Sequence, residues 1–146
     1  MEGMRQRFTE LLSVSTMTLA TYGADGEPHA APVFFVADED LHLYFFSEPG
    51  SQHSRDIALN PSVALAIYPE TLSWQEIRGL QLRGKVQEVP AGPDWDTAWM
   101  IYLAKFPFVS DLKAEVSKNL LYAFIPHWIR LVDNRFGFGF KEEWNL

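Results

Sequence analysis

Cysteine is absent from the 146 residues, which excludes disulfides, thiolate metal centres and thiol nucleophiles. Histidine is scarce. His29, His42, His53 and His127 stand too far apart to form a local ligand pair of the HExxH kind, so no metal site is expected. Basic residues are also few, 12 Lys and Arg against 19 Asp and Glu. The resulting net charge of −7 leaves no basic stripe to displace counterions from a nucleic acid, which is excluded as a partner. No apolar run reaches the length of a membrane span, and residues 1–10 are too polar for a signal peptide, so a cytoplasmic location with no membrane partner is expected. Nucleophile elbow, GxGxxG and P-loop are all missing, which leaves a hydrolase without support. No repeat, low-complexity segment or linker divides the chain, and residues 1–146 are expected to form one domain.

Aromatic residues, by contrast, are in surplus: 11 Phe, 5 Trp and 5 Tyr exceed what a small core needs. The excess points to an apolar ligand pocket or a buried subunit interface. Along the chain, Met4, Phe8, Leu11 and Leu12 recur at the spacing of an amphipathic helix over residues 2–13. Residues 17–22 alternate as a strand, 23–26 (GADG) signal a hairpin, and the return strand at 29–37 is almost continuously apolar, as if buried on both faces. With the strand at 41–47 these form an antiparallel meander. Further strands are expected at 62–68, at 74–89 with bends or bulges at Gly79 and Gly84, and at 120–131, where Pro126 marks an edge or a bulge. Asp94 is placed to cap a helix running to Lys105, with Trp95, Ala98, Trp99, Tyr102 and Leu103 on one face, and a weaker helical piece follows near 111–117. Phe136, Phe138 and Phe140 alternate with glycines and a lysine in the tail. Six or seven short, evenly spaced strands in one domain favour a closed antiparallel barrel over a doubly wound sheet.

The stretch LHLYFFSEPGSQHSRDIALNP, residues 41–61, is the one around which the rest is organised. An aromatic strand meets a Pro49-Gly50 turn, Ser51 can cap the helix that follows, and Asn60-Pro61 ends it. Free backbone N–H groups at such a helix start seat a phosphate; the same pattern also serves as an ordinary strand-to-helix connection. Arg78, Gln81, Arg83 and Lys85 form either a solvated strand face or a polar ligand edge. His29 and His42 read as strand-surface residues.

Three segments, MTLATYGADGEPHAAPVFF, YFFSEPGSQHSRDIALNP and RGLQLRGKV, resemble the pyridoxamine 5′-phosphate oxidase-like, FMN-binding split-barrel superfamily. IRGLQLRG with the tail IRLVDNRFGFGFKEEW is most similar to its small bacterial YhbP-like branch. The resemblance implies an α+β fold, mostly β: a six-stranded antiparallel split β-barrel with flanking helices. It also implies a homodimer with two FMN molecules in clefts at the interface. By the same resemblance Ala31, Pro32, Val33 and Phe34 run along the flavin ring, and Phe46 and Ser47 lie near the ribityl chain and phosphate. Ser51, Gln52 and His53 then hold the phosphate, and Arg78, Gln81 and Arg83 stand near the ring edge. The departures are informative. Ala31 and Val36 stand where the oxidase proper carries an arginine and a lysine, Gly79 where it carries a glutamine, and Gln52 and His53 where its phosphate clamp is doubly basic. Each lost charge-assisted phosphate contact costs about 1.5–3 kcal/mol. No side chain stands out as a general acid or base, which suits chemistry run by a cofactor. The resemblance therefore implies an FMN-dependent oxidoreductase of unknown small-molecule substrate that is not the true oxidase. The alternative is a non-catalytic module holding heme, a deazaflavin or another small aromatic ligand on the same barrel.

Overall fold

The computed structural model describes residues 2–146, with side chains from Gln6 onward; the expected place of Met4 on a buried helix face lies outside the described residues. The elements run α1 (Glu2–Leu12), β1 (Thr16–Tyr22), β2 (Pro28–Phe34), β3 (Val36–Ala37), β4 (Leu43–Ser47), α2 (Gln52–Leu59), β5 (Ser62–Ile67), β6 (Arg78–Glu88), α3 (Pro93–Lys105), α4 (Lys113–Val116), β7 (Leu120–Asp133) and β8 (Lys141–Asn145). All strands belong to one antiparallel sheet in the order β2-β1-β5-β6-β7-β4-β3, with β8 beside the C-terminal half of β7.

That order explains the barrel. β2 and β3 lie at opposite ends of the path yet are joined by a single residue, Phe35. The sheet must curl until its two ends meet. β2 pairs only with β1, and β3 only with β4, so the seam between β2 and β4 stays unzipped. This seam is the split. Inside the curl, Leu19, Leu43, Phe45, Leu65, Ile67, Leu80, Phe124 and Ile129 make the core, closed by Phe8, Leu11 and Leu12 of α1. Ion pairs Arg7–Glu142 (2.6 Å) and Arg78–Glu10 (2.7 Å) hold α1 over the barrel mouth.

Six strands were expected and eight form, because Phe35 breaks the second strand into β2 and β3 and the tail adds β8. β2 is not buried on both faces either: exposed and half-buried residues alternate along it, since it ends the sheet path. Trp74 lies in a 3₁₀ turn (Trp74–Glu76) before β6 rather than in the strand. The bulge at Gly84 forms as its glycine suggests. Arg83 faces Trp128 and Gly84 faces Pro126, so His127 is the extra residue, and Pro126 marks a bulge in an internal strand, not an edge. The α3 cap is Gly92, with Pro93 opening the helix; Asp94 sits in the first turn, where its charge suits the dipole. Among the described residues no helix is long and apolar enough to cross a membrane.

Candidate functional site

β4 ends at Ser47, buried against the barrel wall at 6 % exposure, and the chain turns through Glu48-Pro49-Gly50 into α2. Ser51 takes an extended conformation and caps the helix: its Oγ accepts from the Ser54 N–H (3.3 Å) and donates to the Glu48 carbonyl (2.8 Å). In the first turn of the helix, His53 points back. Its Nε2 is hydrogen-bonded to Ser47 Oγ and lies 3.4 Å from Ser51 Oγ, and the two serine oxygens are 3.1 Å apart. Burial pushes the His53 pKa below its ordinary value against the opposing pull of Asp56, so the imidazole is neutral near pH 7. The result is two hydroxyls, a neutral imidazole and a helix N-terminus facing one space.

That space is a cleft of about 580 Å³ at the unzipped seam, a size suited to a cofactor. Pro32, Val33 and Phe34 of β2 form one wall, Phe46 and Ser47 of β4 the other. Tyr102 of α3 closes the back, its phenol pushed up to about 12 by burial. Behind it, Phe46 makes edge contacts with Trp95, Trp99 and Tyr102 at 5.0–6.0 Å, so the α3 aromatic stripe packs on the outside of β4. Glu115, Lys118 and Asn119, from the segment that returns to β7, complete the rim beside Glu48.

Of the residues singled out from sequence, Pro32, Val33, Phe34, Phe46, Ser47, Ser51 and His53 meet in this cleft. Ala31 lies on β2 but does not line it. The Gln52 side chain turns along the helix instead, donating to Asp56 (2.8 Å) and accepting from Arg55 (3.0 Å). Arg78 is held by Glu10 at the barrel mouth. Gln81 and Arg83 share a second groove of about 480 Å³ on the outer face of β1, β5 and β6, where the Arg83 guanidinium stacks 4.0 Å over Trp128 and Arg130 donates to Gln81 (3.2 Å). They are on one face, and Arg78 is not, as the strand period requires.

Sequence reasoning put Tyr102 on the aromatic face of its helix without placing it in the cleft, and missed Glu115, Lys118 and Asn119, which reach the cleft from distant parts of the chain. It also missed the network around Asp56, 1 % exposed. Despite the cost of burying it, hydrogen bonds from Thr21 (2.7 Å), Gln52 and His29 (2.9 Å) hold its pKa below the usual carboxylate value. His29 is thereby a half-buried clip between the β1–β2 hairpin and α2 rather than a free surface residue. Because Asp56 is engaged there and not by His53, the Ser47–His53 pair has no orienting acid of a nucleophilic triad among the described residues. Hydroxyls and helix N–H groups at one end, with apolar edges along the length, make the cleft fit for a flat ligand carrying an anion.

A family model described as pyridoxamine 5′-phosphate oxidase matches residues 4–133. The protein is similar to the UPF0306 protein YhbP of Salmonella paratyphi A, 29 % identical over 82 % of this chain and 78 % of that one. It is also similar to the pyridoxine/pyridoxamine 5′-phosphate oxidase of Burkholderia multivorans, 37 % identical over 53 % of this chain but only 34 % of the oxidase, about a third of its length. Among solved structures, a heme binding protein from Mycobacterium smegmatis superposes with a TM-score of 0.76 at 20 % identity, over 91 % of this chain and 53 % of that one, a likeness of fold.

Proposed function

Because this chain belongs to the pyridoxamine 5′-phosphate oxidase family, we propose that its seam cleft binds FMN and that it is an FMN-dependent oxidoreductase acting on a small molecule other than pyridoxamine phosphate. The observation that carries this reading is the convergence of Pro32, Val33 and Phe34 with Phe46, Ser47, Ser51 and His53 in one cleft. The ring would lie along the β2 edge, and the phosphate at Ser47, Ser51 and the start of α2. When bound, the flavin supplies the redox chemistry; the protein's part is to position it and exclude water. The same reading takes the working unit as a homodimer, with a second copy laid over the outer face of β1, β5 and β6 so that its residues reach the seam. The oxidase's own substrate is set aside because the basic residues expected on β2 are Ala31 and, past the break, Val36. Purified protein should be yellow, and titration with FMN should quench flavin fluorescence at micromolar protein. No binding at tens of micromolar overturns the proposal.

A second reading, a binding module for heme or another flat aromatic, is favoured by His53, an imidazole inside the cleft. For it to ligate iron, Nε2 must leave Ser47. A heme titration discriminates: a Soret shift lost in H53A supports ligation, and an unchanged shift in H53A removes His53 as ligand.

A further inference from the structure

We propose that Lys118, carried to the cleft by the segment between α4 and β7, is the cation that holds the ligand's phosphate, in place of the basic pair absent from α2; this rests on the FMN reading above. The cations of α2 are accounted for. Arg55, the only one on the helix, donates to the Gly50 carbonyl (2.8 Å) and to Gln52, and so wraps the outside of the turn. Gln52 is itself tied to Asp56. His53 is kept neutral by burial. The hydroxyl end of the cleft would thus meet a dianion with no formal charge, were α2 its only source.

Lys118 supplies one. It is the single Lys or Arg among the described residues lining the cleft, on the rim shared with Ser47, Ser51 and His53. Its presentation is built: the Lys118 N–H donates to Glu115 O (3.2 Å) and the Asn119 N–H to Val116 O (3.0 Å), which hold the turn. Its ammonium is uncommitted. Arg7, Arg78, Arg130 and Arg135 each have a carboxylate and Lys105 has three carbonyls, whereas Lys118 makes no ion pair with a described residue, not even Glu115 three positions before it. An ammonium without an ion-pair partner, lining the same cleft as two hydroxyls and a helix N-terminus, completes the donor set a phosphate calls for. Glu115 on the same rim opposes it, so the site is poised for one phosphate and against a more highly charged ligand.

The test compares FMN with riboflavin, which has the ring and ribityl chain but no phosphate, on the full chain by fluorescence titration. Expected are FMN bound at least tenfold tighter than riboflavin, K118M weakening FMN about tenfold or more while leaving riboflavin within twofold, K118R retaining FMN, and E115Q tightening it. Lys118 is exposed, so K118M should melt with the wild type. If K118M binds FMN as the wild type does, the Lys118 assignment is overturned while the flavin reading stands. If the wild type binds FMN and riboflavin equally, no phosphate clamp exists and the assignment is again overturned. Binding of neither overturns both.

Discussion

Gly84 shows how little freedom single positions have in this barrel. A Cβ there would lie 2.2 Å from the Ile125 carbonyl, against backbone that is itself fixed by the bulge. G84A should cost about 1–3 kcal/mol or more in urea unfolding, whereas G50A, with nothing within 4 Å of the new methyl, should stay within about 0.5 kcal/mol. The glycine was legible in the sequence as a bend. Its partner His127 was not, because the extra residue of a bulge is defined by the strand opposite. Asp56 is the reverse case, a charge whose meaning depends wholly on distant neighbours. Its pKa is lower folded than unfolded, so its stabilisation is complete above the ordinary value of 3.8 and fades as pH falls through the folded value. D56N should flatten the acid limb of the melting temperature against pH without changing its shape near neutrality.

At the scale of elements, α2 was read correctly from its residues because its signals are local. Ser51 caps it, Asn60 ends it, and the turn before it is Pro49-Gly50. S51A should lose about 1 kcal/mol of stability and also weaken the proposed phosphate seat, so melting and FMN titration should move together. The α3 cap was misread because Asp94 fits the composition of a cap, but Gly92 and Pro93 set the start two residues earlier. The other end of α3 carries a device no pattern announces. Lys105 Nζ donates to the carbonyls of Leu12 (3.1 Å), Val14 (2.8 Å) and Phe35 (2.9 Å), tying the α3 end to the α1–β1 link and to the β2/β3 break. Burial lowers its pKa from 10.5 to about 8. Between those values the unfolded chain binds more protons, so stability should rise with pH from about 8 to 10.5. K105M should lack that rise and should be less stable at pH 7, where three carbonyls lose their donor.

For the whole molecule, the decisive fact is that a sheet whose two ends are one residue apart must close on itself yet leaves the β2–β4 seam open. The proposed second copy would cover the outer face where Ala20, Ala64 and Ala66 leave room for it. Sedimentation should give twice the mass of one chain, and A64R, which puts a long charged group on that floor, should give one chain and weaker FMN binding. A single-chain mass for the wild type removes the dimer. What the sequence determined by itself was what short-range chemistry fixes: strands from alternation, the helix at 52–59 from its cap and stop, the bulge at Gly84 from its glycine, and the absence of thiol chemistry from the absence of cysteine. Tertiary structure alone decided which strand edge stays unpaired, that Arg78 closes the barrel mouth, that Gln81 and Arg83 face a different groove, and that Lys118 rather than Gln52 lines the cleft. Those outcomes follow from how the sheet curls, and the curl is set by contacts between residues tens of positions apart, which no local period records.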